Sequence, residues 1–572
     1  MNKVFFIANK IHKGNHEGKK VSQPIVRISM FSIALAVAIN IITIAVVTGF
    51  QNQVKDKVVG FGAHLQILKA GELSSFESEP ILKTHAFLPK LKEIENVRNV
   101  HPFAYKPTLL QSKPDTVWYT INAKDTFQIE QEIQGVVMKG IDSTFDLSFF
   151  ESKLTEGRLP NLNAKNPTQE ILISQNLANN LQLKLGDKAR AFFIKQNPIK
   201  QVYLVVGIFK SGLEELDNKI ILGDIRNVQK LNDWGIKTAL RVADTLTSDH
   251  QLVIYTSTKG GNGNYKYDFG EGWERNIGFT YCGTKDTLIK VIVGDYWQYM
   301  NDEEEGTTIP DTAYLKITVI GNKNKPCTAI LNKNNQIEKV YLKQDGTRFS
   351  ISFEGEKKLI FEYIDGKGTH NNYIGGYEVN VKNWDELEKT LNEVTETVLF
   401  TENSNQTLTN NLENLKVKSI KEEQEEIFMW LSFLDLNVYI ILILMLLIGI
   451  INMGSGLLVL IISKTNFIGL MKAIGSSNWL IRKLFLYQAG VLIFKGMLLG
   501  NIVGIAFCLL QSNFNILPLN PEIYYLNAVP VEINLFHILL LNIGTLVICT
   551  AALIIPSYVI TKISPVKALK FD

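Results

Sequence analysis

The chain has 572 residues, of which 46% are hydrophobic and 20% are charged, and its formal net charge is +3. A chain of this length usually has several domains, and the charge near neutrality argues against a nucleic-acid binder, which needs a basic face. Four cysteines are too few for a disulfide scaffold. A mean hydropathy of +0.06 fits neither a purely soluble enzyme nor a polytopic transporter, so we expect soluble and membrane-embedded parts.

Four apolar runs are long enough for helices that span a bilayer, which need about 20 residues at a rise of about 1.5 Å each. They occupy residues 28–50, 438–462, 484–510 and 536–560. The first run is too long for the apolar part of a signal peptide, and no small-residue cleavage site follows it. We therefore predict an integral membrane α-helical protein with four transmembrane helices.

The lysines and arginines beside these runs predict the orientation, because cytoplasmic flanks carry an excess of both. The segments 1–27, 463–483 and 561–572 contain many of these residues, whereas the loop 511–535 contains none. Both termini and the segment 463–483 are therefore expected in the cytoplasm. Residues 51–437 are expected on the other side of the membrane.

This external part has the pattern of a large α+β domain. Alternating apolar residues predict strands at 136–141, 189–194 and 202–209, and helical spacing predicts helices at 86–94 and 176–181.

A different composition marks residues 236–370, which are rich in Gly, Asn, Lys, Tyr and Thr. Alternating runs at 314–320 and 339–342 are separated by the turn dipeptides Gly-Asn and Asn-Asn. We interpret residues 236–370 as an inserted all-β module, here named the β module, because a loop tolerates such an insertion at little entropic cost. The α+β domain then consists of two parts, 51–235 and 371–437.

No catalytic or metal-binding motif is present. The chain lacks a P-loop and the H-E-x-x-H, C-x-x-C and G-x-S-x-G motifs, and its acidic run 302–305 lacks the alternating oxygen ligands of a calcium loop. We predict that the chain is not an enzyme and holds no cofactor and no metal. Cys282 and Cys327 can pair if the β module is extracytoplasmic, but their spacing leaves this open.

The third apolar run carries three glycines and a charge. Gly496, Gly500 and Gly504 recur at every fourth residue and share one face, on which another helix can approach closely. Lys495 is expected to face protein or water within the bilayer. Packing within the helix bundle is our first interpretation of Lys495, and contact with a substrate is the alternative.

The loop before the third run reads KTNFIGLMKAIGSSNWLIRK. Phe467, Leu470, Met471 and Ile474 form an apolar face at helical spacing, and Gly475 is a natural helix stop. Such a helix can lie along the membrane surface or dock into a groove on a cytosolic partner. The residues alone do not decide between these two interpretations.

Several stretches resemble lipoprotein-releasing ABC transporter permeases of the LolC/LolE type, within the FtsX/MacB-like type VII superfamily. FIGLMKAIGSSNWLIRKLF resembles the coupling helix of these permeases, and ISPVKALKF resembles their closing signature. FFIANK and TGFQNQVKDKVVGFGAHLQI resemble their start and the exit from their first helix. EGRLP, ILISQNLANNLQLKLGD and VVGIFKSGLEELDNKIIL resemble their periplasmic domain. The resemblance covers residues 1–235 and 371–572 but not the β module.

The resemblance implies two partner-binding sites. The ATPase-coupling helix would comprise Phe467, Ile468, Gly469, Leu470, Met471, Lys472, Ala473, Ile474 and Gly475. Its start departs from the family pattern, since Asn466–Phe467 stand where many relatives have a charged residue and Glu-Ile. A carrier-docking hairpin would comprise Lys195, Gln196, Asn197, Pro198 and Ile199, of which Asn197-Pro198 favours a turn.

The resemblance also implies a function and a location. The chain would be a multi-pass permease subunit of the bacterial inner membrane that extracts acylated lipoproteins and hands them to a periplasmic carrier. A cytosolic ABC ATPase would bind ATP and Mg, a second permease copy or a sister permease would complete the transporter, and membrane lipid would surround it. The alternatives are a MacB-like efflux permease and an FtsX-like mechanotransmitter that controls a cell-wall hydrolase.

Overall fold

Two compact units make up the chain in the computed structural model. The structure describes residues 19–71, 78–112, 114–121, 124–194, 198–247, 251–281, 283–298, 305–307, 309–325, 327–404, 415–520, 524 and 526–565. The helical unit comprises Met1–Val58 and Gln424–Asp572, and the β-rich unit comprises Val59–Glu423.

The described residues form fourteen α-helices and two short 3-10 helices, His370–Asn372 and Trp384–Glu386. The α-helices are, in chain order, α1 Lys19–Phe61, α2 Phe87–Leu91, α3 Ser148–Ser152, α4 Gln175–Asn180, α5 Glu214–Asp217, α6 Ile225–Leu231, α7 Leu387–Ser404, α8 Ile420–Glu423, α9 Glu425–Ser463, α10 Thr465–Ala473, α11 Asn478–Phe514, α12 Leu535–Ala552, α13 Ile554–Ser557 and α14 Val559–Lys562.

Four helical stretches of the described residues are long and apolar enough to cross a membrane: Arg27–Phe61, Glu425–Ser463, Asn478–Phe514 and Leu535–Lys562. They overlap the four predicted runs, which confirms the prediction of four candidate membrane helices within the described part of the chain. The last stretch differs from the single helix expected, because it divides into α12, α13 and α14. Pro556 lies at this break, and a proline inside a helix removes one backbone donor and disturbs the preceding turn.

The helical unit has its own hydrophobic core. Ile33 of α1, Met453 of α9, Ile493 of α11 and Cys549 of α12 are buried in one cluster, together with Ile468 of α10. Every long helix of this unit therefore contributes to the same core.

The described residues also form 25 strands. In chain order they are β1 Leu65–Lys69, β2 Ile81–Leu82, β3 Val97–Gln111, β4 Asp115–Ile121, β5 Lys124–Glu130, β6 Ile133–Ile141, β7 Leu154–Gly157, β8 Glu170–Ser174, β9 Lys188–Phe193, β10 Ile199–Phe209, β11 Ile220–Asp224, β12 Ile236–Leu246, β13 Leu252–Gly260, β14 Tyr265–Asp268, β15 Trp273–Glu274, β16 Gly278–Tyr281, β17 Thr287–Gln298, β18 Glu305–Thr307, β19 Asp311–Ile320, β20 Lys339–Tyr341, β21 Arg348–Ser352, β22 Lys358–Ile364, β23 Tyr373–Ile374, β24 Gly376–Val381 and β25 Leu415–Ser419.

A ten-stranded sheet, here named the core sheet, forms the centre of the β-rich unit. Its strand order is β25-β1-β24-β3-β6-β11-β8-β10-β7, and β9 pairs with β10 and β3. Helices cover one face of it, since Phe87 of α2, Leu177 of α4, Val228 of α6 and Val394 of α7 are buried in the main cluster. This mixed sheet and helix architecture agrees with the predicted α+β domain, although the helix expected at 86–94 is shorter, at Phe87–Leu91.

Strands β12 to β22 form two further sheets. One has the order β12-β13-β16, and the other has the order β15-β14-β17-β19-β22-β21-β20, with β18 beside β17. Among the described strands, none of this group pairs with the core sheet. Leu240, Val293 and Phe361 belong to a separate hydrophobic cluster formed within these strands.

The two ends of the β module are hydrogen-bonded to each other. The Ile236 amide donates to Thr369 Oγ1 over 2.9 Å, and the Thr369 amide donates to the Ile236 carbonyl over 2.9 Å. Asp311 joins the same two segments, because its carboxylate accepts from the Thr238 amide at 2.8 Å and from the Gly368 amide at 3.2 Å. The chain therefore enters and leaves the β module at adjacent points.

The cysteines divide between the two units. Cys327, in the β module, is disulfide-bonded, whereas Cys508 and Cys549 of the helical unit are buried free thiols. Cys282 lies outside the described residues, so the question of its pairing with Cys327 stays open.

We predict that the rest of the chain folds when residues 236–370 are replaced by a short Gly-Ser linker, because the ends to be joined are already adjacent. Size-exclusion chromatography in detergent should give a single peak, and the unfolding midpoint should stay close to that of the intact chain. Deleting residues 376–381, which form a central strand of the core sheet, is the matched control and should cause aggregation. Aggregation of the linker variant would contradict the prediction.

Candidate coupling segment and membrane-helix contacts

The predicted coupling segment forms helix α10, between α9 and α11. Gly475 adopts the left-handed conformation with φ of 90°. The Ser476 amide donates to the Met471 carbonyl, and the Gly475 amide donates to the Lys472 carbonyl, each over 3.0 Å. These two bonds are the Schellman ending of a helix. The helix therefore stops where the sequence predicts.

One part of the predicted apolar face of α10 packs against the helical unit, and the other part is exposed. Ile468 and Gly469 are buried, and Phe467 and Met471 pack against the core of the helical unit. The remaining apolar residues stay open, because Leu470 is 50% exposed and Ile474 is 73% exposed. The helix therefore packs on the bundle along one side and leaves the Leu470 and Ile474 part of the predicted apolar face open.

Lys472 ties α10 to the end of the fourth candidate span. Its Nζ donates to the carbonyl oxygens of Ile560 and Ile563, each over 2.7 Å, and to that of Thr561 over 3.4 Å. These carbonyls lie where α14 ends, and within the described residues only that of Ile560 also accepts from a backbone amide there, that of Ile563, over 3.4 Å. Burial of the Lys472 side chain lowers the pKa of its ammonium group, because the charged form is partly removed from water.

Arg482, near the start of α11, contacts the residues where the fourth candidate span divides into α12, α13 and α14. Its Nε donates to Ser557 Oγ over 3.1 Å, and its guanidinium donates to the Ile554 carbonyl over 3.2 Å. The guanidinium carbon also lies 4.2 Å from the centroid of the Tyr558 ring, a favourable cation–π distance. Lys472 and Arg482 together attach the coupling segment to residues 554–563.

The glycine face of α11 packs against α1. A methyl carbon added to the glycines would lie 2.8 Å from the Met30 carbonyl oxygen, 2.5 Å from the Ala34 carbonyl oxygen and 3.2 Å from Ala38 Cα. The only side chain that allows such an approach is hydrogen. All three predicted residues of this face are buried: Gly496, Gly500 and Gly504.

Lys495 is not part of this packed face. Its side chain is exposed, because one helical residue turns the chain by about 100° away from Gly496. The role of Lys495, packing within the bundle or contact with a substrate, stays a prediction. A polar contact that the sequence did not predict joins α11 to α12, where Asn501 and Asn542 exchange amide hydrogen bonds of 2.7 and 2.9 Å.

The residues of the predicted carrier-docking hairpin fall between β9 and β10 in the chain. The strands are antiparallel, and Phe193 is paired with Ile199. Ile194 is 74% exposed, and Pro198 is exposed as well. Residues 195–197 lie outside the described residues, so the role of this hairpin stays a prediction.

A buried ion cluster on the core sheet was missed by sequence reasoning. Cross-strand pairing sets Gln66 opposite Glu378 and Glu378 opposite His101, and it sets Lys139 opposite Tyr105. Residues paired across adjacent strands have side chains on the same face of a sheet. These side chains therefore share one face of the core sheet, opposite the face that carries the main hydrophobic cluster. The sequence feature that could have indicated this cluster is a single charged residue in each of two strand segments, Lys139 in VVMKGI and Glu378 in GGYEVNV.

The contacts within this cluster are short. Lys139 Nζ lies 2.6 and 2.9 Å from the two Glu378 carboxylate oxygens, and His101 Nε2 lies 3.0 Å from one of them. Lys139 and Glu378 are both 0% exposed. Burial alone would raise the pKa of the Glu378 carboxyl, but Lys139 and His101 hold that pKa below its ordinary value.

Glu423, the last residue of α8, is near this cluster and has the opposite shift. Burial, and then the like charge of Glu378, raise the pKa of the Glu423 carboxyl to about 7, although Lys139 opposes the shift. Two neighbouring carboxyls therefore titrate in different pH ranges.

We predict that Lys472→Met destabilises the protein by about 1–3 kcal/mol, because it removes the ammonium donor from the part-buried carbonyl oxygens of Ile560 and Ile563. Thermal unfolding of the purified full-length chain in detergent measures this loss. Lys464→Met, at an exposed position of the same loop, is the control and should have no effect. Equal midpoints for both variants would show that the carbonyl contacts of Lys472 are unimportant.

The glycine face predicts a position-specific effect within one helix. Gly500→Ala should destabilise the helical unit by about 1–3 kcal/mol through overpacking, since its methyl carbon would meet the Ala34 carbonyl oxygen. Gly490→Ala should be tolerated, because no atom lies within 4 Å of the added carbon. Unfolding midpoints in detergent compare the two variants, and the prediction fails if Gly490→Ala is the more harmful.

Glu423 predicts a pH dependence of stability. The folded chain binds the Glu423 proton more tightly than the unfolded chain, where the pKa is near 4.5. Its stabilising contribution is therefore full below pH 4.5 and is lost as the pH rises to about 7. Glu423→Gln should raise the unfolding midpoint relative to the parent at pH 8 more than at pH 5. Glu422→Gln is the exposed control, and an equal response of the two variants would refute the assignment.

Two family models match the chain. The MacB-like periplasmic core domain matches residues 28–251, and the FtsX-like permease C-terminal domain matches residues 439–565. The first match covers α1 and most of the core sheet, and the second covers the coupling segment and most of the last three candidate spans.

Among curated proteins, an uncharacterised membrane protein of Buchnera aphidicola subsp. Schizaphis graminum is 32% identical over 141 residues. A lipoprotein-releasing system transmembrane protein LolC of Xylella fastidiosa strain 9a5c is 25% identical, and that of strain Temecula1 is 24% identical, over the same length. Each alignment covers 23% of this chain and 34% of the relative. The chain therefore matches about a third of the length of these relatives.

Among solved structures, the extracellular domain of the noncanonic ABC-type transporter YknZ from Gram-positive bacteria matches 29% of this chain and 75% of its own length, with 15% identity and a TM-score of 0.19. The two family models carry the assignment. They agree with the four candidate membrane helices and with the sheet-containing domain between the first and the second. Through these two domain matches the chain fits the FtsX-like and MacB-like ABC permease superfamily, whose members are membrane subunits that are not themselves catalytic.

Proposed function

We propose that the chain is the permease subunit of an ABC transporter that extracts lipoproteins from the outer face of the bacterial inner membrane and passes them to a periplasmic carrier. The observation that supports this cargo is the similarity to two proteins described as lipoprotein-releasing system transmembrane proteins. Each buried CH₂ of an acyl chain holds a lipoprotein in the membrane by about 0.8 kcal/mol. Release of an acylated anchor therefore calls for an energy source such as ATP.

The energy would come from a cytosolic ATPase that binds ATP and Mg and docks on α10. Leu470, Ile474 and Trp479 are 50, 73 and 54% exposed, and they supply apolar side chains for a groove on that partner. Lys472 and Arg482 hold the segment to residues 554–563. A displacement of α10 would therefore pull on the end of the fourth span, with both termini in the cytoplasm.

Two further contacts complete this proposal. Apolar residues of α9, including Phe433 and Ile443 at 63% exposure each, would face lipid and a second permease, either a copy of this chain or a sister chain. The β9–β10 hairpin would receive the periplasmic carrier, since Ile194 and Val202 present apolar surface beside its turn. Residues 252–370, which are most of the β module, lie outside both family matches, whereas β12 at its start lies within the MacB-like match.

The cargo is tested by depleting the protein and locating acylated lipoproteins by membrane fractionation. We expect them to accumulate in the inner membrane, and delivery to the outer membrane at the normal level would refute the proposal. Ile474→Asp should fail to restore delivery and to retain the ATPase during purification, because a charge would enter the docking groove. Lys464→Asp, at an exposed residue outside the apolar side of α10, is the control and should restore both.

The match to the MacB-like periplasmic core domain favours one alternative, an efflux permease. In that case depletion would leave lipoprotein delivery intact and raise the sensitivity of the cells to exported compounds. A mechanotransmitter would instead change cell-wall hydrolysis. The same depletion strain therefore separates the three functions.

A further inference from the structure

The last turn of helix α1 ends within the β-rich unit and is enclosed by aromatic rings. The Phe61 ring centroid lies 5.6 Å from that of Phe150 and 5.9 Å from those of Phe149 and Phe209. A methyl carbon at Gly60 would lie 2.3 Å from the Phe149 ring, so the glycine is needed for this approach. Phe61 itself is 2% exposed. The end of the helix is therefore held in a closely packed socket.

The ion cluster completes this socket. Lys139 Nζ donates to the Phe61 carbonyl oxygen over 2.6 Å while it also donates to Glu378. The last carbonyls of a helix have no partner within it and carry the negative end of its dipole, so an ammonium is favoured there. The ring of Phe145 lies 5.0 Å from the same ammonium, which adds a cation–π contact.

A gain in folding stability does not by itself explain why Lys139 and Glu378 are buried at the end of α1. A buried ion pair is often no more stabilising than apolar residues of the same volume. Lys139 and Glu378 are the only charged residues of strands β6 and β24. An apolar pair would not provide a donor for the Phe61 carbonyl. What the ions add is a fixed connection between the helix end and two strands, β6 and β24.

We propose that Lys139 and Glu378 are positioning residues that lock the end of helix α1 to the core sheet, so that movement of this helix moves the sheet with it. The inference rests on the proposed function only in requiring an ATPase that drives the helices. It does not depend on the nature of the cargo.

The test uses the full-length chain with its ATPase partner in lipid nanodiscs. Spin labels at Phe514→Cys, in the helical unit, and Ile133→Cys, in the core sheet, occupy positions that are 71 and 58% exposed. Pulsed electron resonance measures their distance with ADP and with a non-hydrolysable ATP analogue. We expect the wild-type distance to change with the nucleotide.

The variant Lys139→Met/Glu378→Leu removes both charges and leaves neither unpaired. We expect it to fold with a lower unfolding midpoint, because the Phe61 carbonyl oxygen loses its donor. It should keep ATP hydrolysis but lose the nucleotide-dependent change in distance. Arg241→Met/Asp365→Leu, which removes a bidentate ion pair of the β module, is the control and should keep the change.

The inference is overturned if the double variant keeps the change in distance, or if the wild type has none. If the double variant does not fold, Lys139→Met/Glu378→Gln replaces it, because the glutamine still accepts from His101 and the same outcomes apply. A failure of the lipoprotein proposal would appear in the depletion experiment and leave this distance measurement unaffected. The two failures are therefore distinguishable.

Discussion

A helix that ends in apolar surroundings leaves its last carbonyl oxygens without partners, and both units of this protein meet that constraint with a lysine. Lys139 donates to Phe61 at the end of α1, and Lys472 donates to Ile560 and Ile563 at the end of α14. Each lysine comes from a segment distant in sequence. The solution to a local hydrogen-bonding problem therefore also connects a candidate membrane helix to another element, the core sheet in one case and the coupling helix in the other.

Packing between the helices follows a second constraint. Lipid tails are as apolar as leucine, so helices in a bilayer associate through close contact and hydrogen bonds and not through the hydrophobic effect. The glycines of α11 supply close contact with α1, and Asn501 and Asn542 supply paired amides between α11 and α12. In the most apolar 18-residue stretch of helix α9, 6% of the residues are buried, compared with 44% in the corresponding stretch of α1. Among the described candidate spans, the surface of α9 is therefore the most open to lipid or a second subunit.

Features that depend on a few neighbouring residues were predictable from the sequence. The four apolar stretches and the stop of α10 at Gly475 follow from local composition and backbone preference. The divided face of α10 was not predictable, because the exposure of Leu470 and Ile474 depends on which side of the helix the bundle covers. The pair of Lys139 and Glu378 joins residues 239 positions apart, and its formation depends on strand register, which periodicity along one segment does not specify.

The adjacent ends of the β module also bear on the order of folding. The core sheet pairs β3 with β24, which the chain reaches only after the whole module has been synthesised. Until then the edges of β1 and β3 lack their partner, and unpaired edges are prone to aggregate. The module pairs its strands with one another and closes at Ile236 and Thr369. If the β module folds before β24 pairs, its closed ends place β24 a few residues from β1 and β3. The module would then assist the folding of the core sheet.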